Sequence, residues 1–127
     1  MPIRSVCPEE IPEKTSYRYT AVLLNELDLP VAVADIVTAT LTLYTLVDSA
    51  LTIINGLNAS NIKNVGRGTF DAFGNMAISL IPDDNPVLDP TLVVEKHLML
   101  IQIVYNGGAG AARHEVVLPV RNLQKVL

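Results

Sequence analysis

Residues 97–120 constrain this chain more than any other stretch. Two apolar, β-branched runs, 97–105 and 113–120, flank Asn106-Gly107-Gly108-Ala109-Gly110. Residues of that kind tolerate positive φ, which twisted antiparallel strands need where they reverse direction. The pattern predicts one long hairpin as the scaffold of a small β domain. On its first run Gln102 marks the outward side, which assigns Met99, Ile101 and Ile103 to the core. Leu98, Leu100 and Val104 then fall on the opposite face. Both faces are mostly apolar, so the outer one is expected to be covered by other parts of the chain or by another subunit.

The same period of two recurs upstream. Over residues 17–27, Tyr17, Tyr19, Ala21 and Leu23 share a face. Over 35–46, Val37, Ala39, Leu41 and Leu43 alternate with Thr38, Thr40, Thr42 and Tyr44, the pattern of a half-buried strand. A short strand is expected at 51–54. Residues 58–65 read as one or two helical turns, capped by Asn58 or Ser60, with Ile62 and Val65 packed down and Gly66 and Gly68 ending them. Residues 69–73 and 76–81 form a second hairpin around Phe73-Gly74-Asn75. The connection 82–91, with Pro82, Pro86 and Pro90, suits a crossing between two sheets. No long segment has a helical period. The fold class is therefore all-β, a sandwich of about seven strands spanning residues 17–127 as one domain. Residues 1–16 read as an extended arm instead, because Pro2, Pro8 and Pro12 remove backbone donors and Glu9, Glu10, Glu13 and Lys14 keep it solvated.

Composition narrows the function classes. The chain is 50% hydrophobic but only 5% aromatic, without tryptophan, so Val, Leu and Ile build the core. Net charge is −4 and the nine Lys and Arg residues are scattered, which argues against nucleic acid as a partner. No run approaches the about 18 apolar residues of a membrane helix. The N-terminus lacks the basic patch and apolar run of a signal peptide. The expected place of synthesis is a reducing cytoplasm. Cys7 has no partner for an intrachain disulfide and is expected to be a bystander thiol in the arm.

No constellation demands catalysis or a cofactor. His97 and His114 lie on the two runs of the hairpin and, with Glu95 or Glu115, could begin a zinc site. Three or four converging ligands are needed, and the simpler expectation leaves one histidine bonded to backbone and the other in solvent. Asp83, Asp84, Asn85 and Asp89 lack calcium-loop spacing and read as turn chemistry. Glu9-Glu10, Glu26 with Asp28, and Asp83-Asp84 read as solvated acids rather than a hydrolytic pair. The glycine-rich 106–110 joins strand to strand, so no helix N-terminus follows to cradle phosphate. Tyr17, Tyr19, Tyr44, Phe70 and Tyr105 form no evident stacking platform for sugar.

A likeness lies in the order of short motifs. Tyr19-Thr20-Ala21 is followed by the Thr40–Tyr44 run, Ile54-Asn55-Gly56, and Phe73-Gly74-Asn75 leading into Met76-Ala77-Ile78-Ser79-Leu80. Pro82-Asp83-Asp84-Asn85-Pro86, Glu95-Lys96-His97, Tyr105-Asn106-Gly107-Gly108, His114-Glu115-Val116 and Val120-Arg121-Asn122-Leu123 complete it. Across residues 17–123 this order resembles the small immunoglobulin-like virion proteins of tailed bacteriophages. In outline it is similar to the N-terminal domain of baseplate upper proteins and to short head or neck proteins. The resemblance implies an immunoglobulin-like antiparallel sandwich with one short helical turn near 58–65, and a structural role without catalytic residues. Its partners would be other virion proteins and copies of itself, made and assembled in the host cytoplasm. Contact through sheet faces and the arm singles out Ile3, Val6, Ile11, Leu98, Leu100 and Val104 as interface candidates. The alternative is a free-standing module that binds carbohydrate or protein. The low aromatic content favours the assembly reading.

Overall fold

A computed structural model describes residues 2–7, 10–46 and 51–123, with the side chains of 2–5 outside that description. The strands are β1 (Pro2–Val6), β2 (Ile11–Pro12), β3 (Tyr17–Val22), β4 (Ile36–Thr45), β5 (Ser60–Asn61), β6 (Gly68–Phe70), β7 (Asn75–Leu80), β8 (Val94–Tyr105) and β9 (Gly110–Arg121). One sheet runs β1-β9-β8-β4-β5, with β2 also on β9; the other runs β3-β7-β6. If β3, β4, β6, β7, β8 and β9 are read as B, C, D, E, F and G, the layers are B-E-D and C-F-G, the immunoglobulin order, and β5 is the added C′ strand. The chain is an all-β, immunoglobulin-like sandwich.

The β8–β9 hairpin pairs without interruption from Val94↔Arg121 to Tyr105↔Gly110. Asn106, Gly107 and Gly108 all have positive φ, as the turn composition requires. Gly110 has a different reason to be glycine: a Cβ there would sit 2.1 Å from the Tyr105 ring, which lies across it. Met99, Ile101 and Ile103 face inward and are fully buried against Leu41, Leu43, Met76, Ile78 and Leu80. Each such side chain contributes about 1.5–3 kcal/mol by leaving water. As anticipated, residues 82–93 carry the chain from β7 in one sheet to β8 in the other.

Four local expectations are corrected. Val37 is exposed and Ile36 is buried in its place, because the β4–β8 register shifts between Ile36 and Thr38 and inverts the alternation there. Residues 58–65 hold no helical turn. Positive φ at Ala59 and Asn64 breaks a helix, and Ser60–Asn61 pairs with Leu41 and Thr40 instead. Ile62 is buried there, but Val65 is exposed. Residues 51–54 contribute only a bridge, Tyr44↔Ile53.

The fourth correction concerns residues 1–16. Within them Pro2–Val6 and Ile11–Pro12 form edge strands of the domain, and the sheet is not wholly antiparallel: β1 and β2 both run parallel to β9. An edge strand bonds on one side only, which is where proline is tolerated. Cys7 and Ile11 are buried in the core rather than solvated. Cys7 N–H donates to Val117 O at 2.9 Å, Glu13 N–H to Arg121 O at 2.9 Å, and Lys14 N–H to Asn85 O at 2.7 Å. Deleting residues 1–16 is therefore expected to remove several kcal/mol and lower the melting midpoint by about 10 °C or more. An unchanged midpoint by circular dichroism would show that the segment merely decorates β9.

Candidate functional site

The loops β3–β4, β6–β7 and β8–β9 gather at one end of the sandwich. The first is a closed turn. Asn25 Oδ1 accepts the N–H groups of Leu27 (2.9 Å) and Leu29 (3.0 Å), and Asn25 N–H donates to Leu29 O at 2.8 Å. The second is closed by Asp71, whose Oδ1 accepts from the N–H groups of Phe73 (2.8 Å) and Asn75 (2.9 Å). Leu23 N–H donates to Gly74 O and Val33 N–H to Asp71 O, which ties the two turns together. Gly74, at positive φ, packs so close to Pro30 that a Cβ would meet it at 2.9 Å. These ordered turns hold Leu27 (72% exposed), Leu29 (55%) and Phe73 (76%) out into water.

Beside them lies a cleft of about 460 Å³ lined by Leu24, Asn25, Glu26, Asp28, Tyr105 and His114 among others. Tyr105 Oη donates to Glu26 Oε2 at 3.1 Å. The residue's own backbone N–H, then the Tyr105 hydroxyl, hold the Glu26 carboxyl below its usual range. Burial and then Glu26 push the Tyr105 hydroxyl up. His114 is buried, with Nδ1 3.1 Å from Tyr19 Oη and its ring edge-on to Tyr19. Burial pushes its pKa down, which favours a neutral ring near pH 7. An acidic rim over a neutral imidazole can bind a small polar group, but it pairs no nucleophile with a base.

The opposite end carries the buried Asp84, Glu95 and His97. Arg67 grips Asp84 with Nε on Oδ2 (2.6 Å) and Nη2 on Oδ1 (3.0 Å), while Asn55 Nδ2 and Ile81 N–H also donate to that carboxylate. Glu95, fully buried, accepts from Leu88 N–H, Asp89 N–H and His97 Nε2. It thereby ties the start of β8 to the incoming connection, a task that a tyrosine performs at the matching corner of antibody domains. Burial lowers the His97 pKa against the opposing pull of Glu95. The ring is then neutral with Nε2–H donated, and Nδ1 is buried without a partner. Protonation would bury an unpaired N–H there as well.

Both histidines differ from expectation. They face inward and each bonds a side chain, Glu95 or Tyr19, rather than backbone or solvent. The parity that puts Met99 in the core puts His97 there too, so the signal was present. His97 stands opposite Leu118 and His114 opposite Ile101, too far along the hairpin to share a metal. Among the described residues no group of three or more His, Cys, Asp or Glu is placed to hold one. Asp84 is a buried ion, not a solvated turn acid, and nothing local in the sequence signals its pairing with Arg67.

The interface candidates divide. Val6 is exposed, and Leu100 and Val104 are half-buried on the outer sheet face. Ile3 stands opposite His114 in the register, and its side chain lies outside the described residues. Two are corrected. Ile11 is turned into the core. Leu98 is 1% exposed, flanked in register by Tyr44 and by buried Val117, so its layer is already covered. The rest of that face carries Thr38, Thr40, Gln102 and Arg113. Apart from Val6, Val22 and Val37, the exposed large apolar side chains among the described residues sit on loops, a feature that strand alternation cannot reveal. Among the described residues no helix is long and apolar enough to cross a membrane. No protein-family model matches the chain, and no curated protein or solved structure shows significant similarity to it.

Proposed function

We propose that the chain is a non-enzymatic structural module that joins a larger assembly through its loop end, and that this assembly is a bacteriophage particle. The observation that carries the first part is the exposure of Leu27, Leu29 and Phe73 on turns already fixed by hydrogen bonds. A turn that only reverses the chain has no need of large apolar residues in water. Fixed turns lose little entropy when a partner covers them, so the apolar area is available to drive association. The motif order across residues 17–123 supports the phage particle as the setting.

The test is incorporation. Mass spectrometry of particles banded by density should find the chain among their proteins. A Leu27→Asp/Phe73→Asp chain, supplied in its place, should melt within a few degrees of the parent and be incorporated at least about tenfold less. Absence of the parent from the particles would sink the phage setting. Equal incorporation of the variant would sink the loop end as the contact. A second reading, a free-standing module for carbohydrate or protein, is favoured by one observation, the cleft between Glu26, Tyr105 and His114. It requires a ligand that fits there and no particle.

A further inference from the structure

The four sheet edges are unequal. The first sheet ends at β1, which opens with Pro2, and at β5, which has two residues. The second ends at β6, with three residues, and at β3, with six. Natural edges are blunted by shortness, proline, bulges or charge. β3 has no proline, glycine or bulge, and one charge, Arg18. In constant-type immunoglobulin domains an A strand lies beside B. Here the N-terminal strand is on β9, and that place beside β3 is held by no described strand.

The ladder shows which groups are free. Ser79 N–H donates to Arg67 O on the β6 side, so Met76, Ile78 and Leu80 turn their backbone groups toward β3. Their partners Ala21, Tyr19 and Tyr17 use theirs on β7. Arg18, Thr20 and Val22 therefore direct N–H and C=O away from the sheet, and no described backbone group bonds to them.

We propose that β3 pairs antiparallel with β3 of a second copy about a two-fold axis at Thr20, joining the two three-stranded sheets into one. The inference deepens the assembly reading by naming one partner, and it uses a different surface from the loop end. A second copy fits because the edge is self-complementary. Centred on Thr20, the pairing sets Thr20 against Thr20 and Arg18 against Val22, and the free N–H and C=O groups of all three residues bond reciprocally. On the core side Tyr19 meets Ala21, large against small. No like charges stand opposite, and threonine pairs across strands are favourable. The two-fold closes on itself, so the contact ends at a dimer rather than a fibre.

Thr20→Pro tests this without touching the internal ladder, because the N–H it removes points away from β7. Sedimentation equilibrium of the parent chain should show a reversible dimer. Thr20→Pro should weaken it at least about tenfold while keeping a cooperative melt. If proline at 20 unfolds the chain, Thr20→Cys decides: it should form an intermolecular disulfide on oxidation much faster than Ser79→Cys, which is exposed on the neighbouring strand. A parent chain that stays monomeric to about 1 mM, a folded Thr20→Pro chain that dimerises as well, or equal cross-linking at 20 and 79 would overturn the proposal. Those results leave the loop-end contact standing, since it is read by incorporation of the Leu27→Asp/Phe73→Asp chain.

Discussion

Ile101→Asp is expected to abolish the cooperative melt. Ile101 is fully buried, midway along β8, between Leu41 and His114 in the register. Aspartate there loses about 1.5–3 kcal/mol of apolar burial. Its carboxylate adds several kcal/mol more unless it neutralises or finds a partner. Its cross-strand partner, His114, is held toward the neutral form by burial and its Nδ1 faces Tyr19. Recruiting it as a cation would place a charge on a buried ring. Against a total stability of about 5–15 kcal/mol for a domain, the combined loss leaves little folded protein. Gln102→Asp, one residue along and exposed on the outer face, should shift stability by no more than about 0.5 kcal/mol. Thermal unfolding followed by far-ultraviolet circular dichroism separates the two. A cooperatively melting Ile101→Asp beside an unfolded Gln102→Asp would mean that the faces of β8 are inverted.

That contrast also marks what the sequence makes legible. A period of two is a local property, so Met99, Ile101 and Ile103 could be placed from their spacing alone, and the turn at Asn106 to Gly108 from its residue types. Where one residue breaks the period, the reading inverts: the register shift near Ile36 exchanged Val37 for its neighbour. Pairing across distance was harder. The prolines of residues 1–16 correctly exclude a central strand, but an edge strand remains open to them, and only its partner β9 decides. The candidate site was less legible still. Leu27, Leu29 and Phe73 stand in turns, where no alternation assigns a face, and their exposure follows from side-chain bonds by Asn25 and Asp71 that close those turns. Asn25 and Asp71 are common turn residues, so their presence alone did not distinguish a turn that presents apolar groups from one that merely reverses the chain.

The same difficulty hides the Arg67–Asp84 pair, whose removal should have the other large effect. Asp84 is fully buried and accepts four hydrogen bonds, two from Arg67, one from Asn55 and one from the Ile81 N–H. Burial alone would push its carboxyl up; Arg67, Asn55 and the Ile81 N–H together outweigh that and hold it below its ordinary value of 3.8. Asp84→Ala leaves the guanidinium, an amide and a backbone N–H without their acceptor. The expected cost is about 3–5 kcal/mol, nearer the lower figure because 21% of the Arg67 side chain reaches solvent and stays hydrated. Arg67→Met/Asp84→Leu should cost less than Asp84→Ala, since the harm lies in stranding one charge rather than in losing the pair. The pH dependence has a definite sign. A carboxyl whose folded pKa is depressed binds its proton more weakly in the native state than in the unfolded one. Its stabilisation is complete above the ordinary value of 3.8 and is lost as pH falls through the lower folded value. Urea unfolding from pH 7 down to about pH 2 should therefore show the gap between the parent and Arg67→Met/Asp84→Leu closing only below about pH 4. A gap that stays constant across that range would mean Asp84 is not ionised in the folded chain, and the bidentate pair could not then be what closes this end of the sandwich.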